Sequence, residues 1–493
     1  MSRKAIALVL AGALLTACSS VENPVTGKTE RTVMSEQDEA DAGSEQHRQV
    51  LADYGEAKDA RLQAYVNDVG QKLARNSQRP ELRWRFTVLD SAEVNAFALP
   101  GGYVYVTRGI MAYMDSEADL AGVIGHEIGH VTARHGAQRA TRQQAAGIGV
   151  LAATVLGVVL ESQGLGGAGD LASQVSQNVA AGYIASYSRD QELQADMLGA
   201  DYLAKTAYNP RNMVDVIQVL KSQEQFAGDT ARAQGRAPAA GPTWLASHPS
   251  NEQRLKKIQD TVKQFQGRYG DDGRTRYLQT IDGMVFGDGS QQGVIRGRNF
   301  YHEGLGIALT APSGWAIRNA SDSVALVDPQ GDAALLVRLV PEQAGSDHES
   351  ILRNLIKADQ GRTERRSING MAATHFEGTV RSDQGSKPVD LTLVSGPAGR
   401  QYLLVYAARN ADVLRRSHAL MADAETTFRP LGAADRAAAK PWRLQIVPYP
   451  AGGFAQLARQ SPLAPDAERQ LRLLNGVYGG GEPRPGQPVK VVE

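Results

Sequence analysis

Apolar positions recur at spacings of three and four at Leu62, Tyr65, Val66, Val69 and Leu73, which predicts an amphipathic helix ending before Pro80. The run Trp84 to Leu89 then alternates and is rich in β-forming side chains, so it predicts a strand. A second candidate strand spans Asn95 to Leu99, Pro100-Gly101-Gly102 supplies a turn, and Tyr103 to Thr107 is a third. Helical patterning returns over 117–140, 171–204 and 211–224, with a loop over 227–243 and a last helix from Pro249 to about 265. Further on, short strand candidates lie at 306–310, 334–339 and 401–406, with helical ones at 347–358 and 411–427. Those read as a small α+β domain over 290–430 of no assignable role. A last unit is expected at 441–493.

The two ends of this pattern need different readings. Arg3 and Lys4 precede an apolar stretch from Ala5 to Ala17, too short for the roughly 20 residues of a transmembrane helix but suited to an export signal over 1–17. Residues 18–50 carry few apolar positions and read as a tether with room for a short helical piece near its end. Residues 145–160 hold no charge yet are interrupted by glycine, leaving a buried helix, a lid and a membrane contact all open.

A chain of 493 residues exceeds what one core supports, so several domains are expected. The formal net charge of +0 argues against a general nucleic-acid partner. The single cysteine, Cys18, excludes both an intramolecular disulfide and a cysteine-built zinc site.

The chemistry gathers at His126-Glu127-Ile128-Gly129-His130. Residues four apart share a helix face, so both imidazoles can address one ion, and Glu127 lies beside them to act on water as general base. The histidine at 135 falls one position early for a three-histidine ligand pattern, so a carboxylate from a later helix is preferred as third ligand. Glu192, in Ser188-Arg189-Asp190-Gln191-Glu192-Leu193-Gln194-Ala195-Asp196, is that candidate. Asp196 shares its face and can take the second ring N–H of a ligating histidine, while Arg189 can balance the surplus charge. The set suits one Zn2+ per chain.

Val123 to His130 together with Ser188-Arg189-x-x-Glu192-x-x-Ala195-Asp196 resembles the M48 family of zinc peptidases. Asn95 to Gly102, Ser247-His248-Pro249 and Arg254 extend the resemblance over roughly 51–268. It implies a mainly helical zincin-like domain with a small β-sheet, within an α+β chain, and a metalloendopeptidase activity. On that reading Tyr103, Val104 and Tyr105 present an edge strand to an extended substrate. His248 either donates to the oxyanion or ligates zinc in a resting state. Leu15-Thr16-Ala17-Cys18 resembles a lipoprotein signal, implying acylation at Cys18 and, with Ser19 following, the periplasmic side of the outer membrane. Residues 441–493 loosely resemble a LysM module, without its Gly-Asp-Thr opening, which implies peptidoglycan as a further partner. The main partners implied are unfolded or membrane-associated envelope polypeptides.

Overall fold

The computed structural model describes residues 19–23, 25–145, 187–233, 248, 252–320, 323–382 and 385–493. The 1–17 signal, Cys18 and all but the first residue of 145–160 lie outside them, as do Ser247 and Pro249. Two compact units form: one from the chain up to Gly287 together with Trp442–Glu493, the other within Asp288–Pro441. Among the described residues no helix is long and apolar enough to cross a membrane.

The first unit begins earlier than its apolar pattern suggests. Where a tether was expected, β1 (Ser19–Glu22) and β2 (Thr29–Thr32) pair as an antiparallel hairpin, and α1 (Glu36–Tyr54) follows. Polarity misleads here, because α1 is held by charge rather than by an apolar stripe. Glu39 is buried and takes Arg79 at 3.2 Å and Arg134 at 3.0 Å. Gly43 allows close approach as well, since a Cβ there would lie 2.0 Å from the Pro100 carbonyl oxygen.

Next come α2 (Ala60–Ala74), β3 (Arg85–Leu89), β4 (Ala96–Leu99) and β5 (Tyr103–Thr107). Gly101 and Gly102, at φ 81° and 96°, make the β4–β5 turn in a backbone region that side chains disfavour. The strand order is β3-β5-β4, with β5 parallel to β3 and antiparallel to β4. This corrects the expectation that Tyr103, Val104 and Tyr105 form an edge. Strand β5 is central, so both rows of its backbone groups are already paired. Its tyrosines are covered too: His47 of α1 meets the Tyr105 hydroxyl at 2.7 Å.

Helices α3 (Arg108–Tyr113), α4 (Glu117–Thr132), α5 (His135–Ala145), α6 (Arg189–Lys205), α7 (Asn212–Ala233), α8 (Glu252–Val262) and α9 (Arg274–Ile281) complete the main body. Helix α4 is buried along its whole length and packs in one core with Leu62, Val66, Val104, Leu198, Met213 and Ile258. Helix α7 runs nine residues past the predicted 224, through Ala233.

After the short β6 (Val285–Phe286), the second unit is built on β7 (Val294–Arg296), β8 (Asn299–His302), β9 (Ile307–Thr310), β10 (Ala316–Asn319), β11 (Ser323–Val327), β12 (Ala333–Leu339), β13 (Ala358–Ile368), β14 (Met371–Ser382), β15 (Gly385–Ser395), β16 (Gln401–Ala408) and β17 (Arg429–Pro430). Its main sheet is antiparallel with order β10-β11-β12-β16-β15-β14-β13, and β17-β9-β8-β7 form a second. A short α10 (His348–Ile351) precedes β13, and α11 (Ala411–Thr426) buries Val413, Met421 and Ala424 in the core with Leu335, Leu404 and Tyr406. Helix α12 (Ala433–Ala438) closes the unit.

The chain then returns. Strand β18 (Trp442–Pro448) pairs with β6, helices α13 (Gly453–Ala458) and α14 (Ala467–Leu474) follow, and β19 (Pro488–Val492) lies antiparallel to β18. Residues 441–493 were expected as a module of their own. Instead Leu444, Phe454, Leu471, Leu474, Val489 and Val492 join the core that contains α4. Lys490 is fully buried and donates to the Ala112 and Met114 carbonyl oxygens at 2.9 and 2.8 Å, with Asp115 at 2.9 Å.

Candidate metal centre

Two helices carry the site. Ser116 caps α4 by accepting from the Asp119 N–H, and Ser188 with Gln191 forms a capping box at the start of α6. The helices pass unusually near one another because their contact residues are small. A Cβ on Gly129 would lie 2.9 Å from the Ala195 carbonyl oxygen, and one on Gly199 would lie 3.1 Å from the His126 nitrogen. That approach sets Glu192 and Asp196 of α6 beside His126 and His130 of α4.

Four side chains converge there. His126, His130, Glu192 and His248, all buried, offer one donor atom each within 4.8 Å of one another. His130 Nε2 lies 3.0 Å from His126 Nε2, and His248 Nδ1 lies 3.1 Å from His126 Nε2 and 3.0 Å from Glu192 Oε1. Glu127, fully buried, has Oε1 3.6 Å from His248 Nε2. His248 therefore stands among the donors, the arrangement of the second of its two expected roles.

The outward-facing nitrogens are fixed by a surrounding network. His126 Nδ1 lies 2.9 Å from Asp196 Oδ1. A carboxylate only accepts, so this nitrogen carries the hydrogen and Nε2 keeps its lone pair in the neutral ring. The other histidine is held by a chain the sequence did not reveal. Gln194 Oε1 accepts from His135 Nε2 at 3.2 Å and from Asn23 Nδ2 at 2.9 Å. His135 Nδ1 is thereby the acceptor for His130 Nδ1–H at 2.9 Å, and His130 Nε2 also turns its lone pair inward. The Tyr187 ring stacks on His130, with centroids 3.9 Å apart.

Charge balance comes from a different arginine than expected. Arg189 is exposed at the start of α6 and forms no part of the cluster. Arg254 of α8, buried, sets Nε and Nη2 on Asp196 at 2.6 and 2.8 Å, and Nη1 on Glu192 at 2.8 Å. A planar guanidinium can bridge two carboxylates in this way; a helix-start residue pointing to solvent cannot. The available signal was Arg254 itself, downstream of Ser247-His248-Pro249.

Burial dominates the titration of these groups. It pushes the Glu192 carboxyl up to about 7, against the pull of Arg254 and His126. It pushes His248 down to about 3 despite Glu127, and His135 down to about 4 despite Gln194. His130 falls well below its ordinary range, through burial and then the neighbouring histidines. Asp196 goes the other way: burial would raise it, but the Arg254 ion pair and its hydrogen bonds hold it far below the usual carboxylate range. Neutral His130 and His248 near neutral pH are what metal ligation requires.

The residues fit a zinc ion on their own geometry. With the outer nitrogens carrying the hydrogens, two imidazole Nε2 lone pairs face each other at 3.0 Å with a carboxylate oxygen alongside, and a cation among them satisfies all three. Three nitrogens and one oxygen are a borderline-soft set suited to Zn2+.

Paired histidines one helical turn apart, a carboxylate from a second helix, and a glutamate beside them but outside the donor set are the arrangement that hydrolytic zinc sites use. The model of peptidase family M48 matches residues 60–262, the stretch that carries all four of these side chains. The chain is 27% identical over 246 residues to the beta-barrel assembly-enhancing protease of Yersinia pestis, covering 49% of this chain and 47% of that one. To the protein of the same name from Escherichia coli K12 it is 26% identical over the same shares. To the mitochondrial metalloendopeptidase OMA1 of Schizosaccharomyces pombe it is 28% identical over 229 residues, 45% of this chain and 60% of that one. The chain thus spans about half the length of the first of these relatives.

Proposed function

We propose that the chain is a zinc-dependent metalloendopeptidase that hydrolyses peptide bonds in unfolded or misassembled cell-envelope proteins. The observation that carries this reading is the convergence of His126, His130 and Glu192 with Glu127 beside them and outside the donor set. Zinc held there supplies Lewis acidity, which makes water a nucleophile near neutral pH and polarises a scissile carbonyl. Glu127 takes the proton that water loses and returns it to the departing amine. Asp196 and His135 keep the ligand rings in the tautomer that ligation needs. A site with four protein donors is closed, so His248 must withdraw before a substrate carbonyl enters, and once withdrawn it is placed to donate to the oxyanion.

Backbone recognition passes from β5 to β4. Among the described residues, Ala96–Leu99 has a ladder partner on one side only, and an extended peptide can pair along the other. The envelope as the working compartment, with a lipid anchor at Cys18 on the periplasmic side of the outer membrane, rests on the signal-like start and the names of the bacterial relatives. A second reading, an assembly factor that keeps the metal site without proteolysis, is disfavoured by the presence of Glu127. Peptidoglycan binding by 441–493 draws support only from its LysM-like pattern.

The test is degradation of an unfolded envelope protein by the mature chain beside Glu127→Gln and a chelated sample. We expect Glu127→Gln to keep its zinc and lose at least about 100-fold in kcat, within the usual worth of a general base. Equal rates for all three samples, with zinc present in the first, would remove the enzyme reading.

A further inference from the structure

The second unit holds a buried polar cluster that the peptidase reading does not use. Its members come from three strands and one helix: His375 on β14, Asp390 and Thr392 on β15, Tyr406 on β16, His418 and Glu425 on α11. Asp390 is 7% exposed and Glu425 3% exposed, so two carboxylates lie out of water. Arg366 stands 3.7 Å from Glu425 but is shared with Glu364 at 3.1 Å. Glu377 adds further negative potential near Asp390.

The hydrogen bonds fix one ring. Glu425 Oε2 accepts from the Thr392 hydroxyl at 2.6 Å and from the Tyr406 hydroxyl at 2.8 Å. A threonine hydroxyl has one hydrogen, and Glu425 takes it, so its oxygen is the acceptor for His375 Nδ1–H at 3.0 Å. A neutral His375 then turns an Nε2 lone pair toward Asp390 Oδ1, 3.5 Å away. That oxygen is buried and accepts no hydrogen bond. On the other carboxylate oxygen, His418 Nε2 lies 3.2 Å from Oδ2. Two imidazole nitrogens thus flank one buried carboxylate, that of His375 with its lone pair turned toward it.

The separations distinguish two ways of filling that gap. A charge-assisted N–H···O bond closes to about 2.7–2.9 Å. Two ligands of one ion, each about 2.0–2.2 Å from it, stand roughly 3.4 Å apart at a tetrahedral angle. The values here, 3.5 and 3.2 Å, match the second case. They also resemble the 3.5 and 3.6 Å between histidine and Glu192 atoms in the first centre.

We propose that His375, Asp390 and His418 form a second site for a borderline divalent metal ion such as zinc, within the second unit. Thr392 and Glu425 act behind it, setting the His375 tautomer as Asp196 does for His126. Only the His126 group, among the described residues, already brings all its donors within 4.8 Å, so the second site closes on binding. His418 is the member that moves, since its side chain is 47% exposed.

The test is a titration of the metal-stripped full chain with Zn2+ and, for spectroscopy, Co2+. Wild type should take up two equivalents. His418→Ala, an exposed substitution that the fold tolerates, should take up one and keep its proteolytic rate, and His375→Gln should do the same. His126→Ala should retain the second equivalent, which separates this site from the first. A single equivalent in wild type that His418→Ala leaves untouched overturns the proposal, as do two equivalents in both His375→Gln and His418→Ala.

Discussion

The two ends of helix α4 are both buried and both crowded with ionisable groups, yet they are built for different ends. At its start, Glu117 accepts from Tyr65 at 2.7 Å, Tyr208 at 2.8 Å and Arg276 at 2.9 Å, and Asp119 accepts from Asn212 at 2.6 Å and from the Asp115 N–H at 3.1 Å. Each acceptor there has donors pointed at it. At its far end, the ring N–H donors point away from the centre: Asp196 and His135 accept from the outer nitrogens of His126 and His130, Gln194 holds His135, and lone pairs are left facing inward. Strong pKa shifts occur at both ends, with Asp119 pushed up to about 6 and Glu192 to about 7, burial leading in each case. A shifted pKa therefore does not separate structure from function in this chain. Lone pairs converging on one point do.

That distinction predicts that substitutions at one end change both stability and metal, and at the other stability alone. The largest effect should come from Arg254→Met. It strands Asp196 and Glu192 as unpaired buried carboxylates, a loss of about 3–5 kcal/mol, with zinc occupancy falling in parallel. Urea unfolding and metal analysis of one preparation would show it; a loss under about 1 kcal/mol would mean that the guanidinium is dispensable. Next is Lys490→Met at the structural end. It leaves the Ala112 and Met114 carbonyls unpaired, for about 2–3 kcal/mol, with zinc affinity of the folded chain unchanged. A change in zinc affinity there would erase the contrast between the two ends.

Residues distant in sequence are also where the sequence was least legible. The helix with His126, Glu127 and His130, and the candidates Glu192 and Asp196, could be read because helix periodicity places residues four apart on one face. Arg254 was marked only by the resemblance, and its pairing could not be read: it lies 58 residues beyond Asp196, and an isolated arginine on a polar helix reads as surface. Strand order is equally nonlocal, so the Tyr103–Thr107 strand looked like an edge until β3 was seen to pair on its far side. The return of Trp442–Glu493 into the first core had no local signature, since amphipathic segments do not announce their partners. The length and packing of helix α1, expected at most as a short helical piece, escaped because Glu39 and Gly43, two of its close contacts, resemble the residues of a tether.

His135 tests the functional end more gently. His135→Ala removes the acceptor for His130 Nδ1–H but no ligand. Zinc affinity should drop about 10- to 100-fold, the usual worth of such a partner, with little change in unfolding free energy of the metal-free chain. Competition with a chelator of known affinity measures it. Unaltered affinity would show that His130 holds its tautomer without help.

The smallest effect belongs to Asp119, and its sign follows from the raised carboxyl. Burial leads, the Asn212 bond opposes it, and Asp115 and Asp215 add to it, pushing the carboxyl up to about 6 from its ordinary 3.8. The folded chain therefore binds the proton more tightly than the unfolded chain. The associated stabilisation is fully present below about pH 4 and is lost as pH rises through about 6. Asp119→Asn resembles the protonated form at every pH. Wild type should thus lose stability relative to this variant between pH 4 and pH 7, by on the order of 2 kcal/mol. Taking the difference between the two proteins cancels groups common to both, including the histidines of the metal centre. Zinc binding should not distinguish them. A difference that stays flat across that range would show Asp119 ionised throughout, held by the Asn212 and Asp115 donors more firmly than burial opposes.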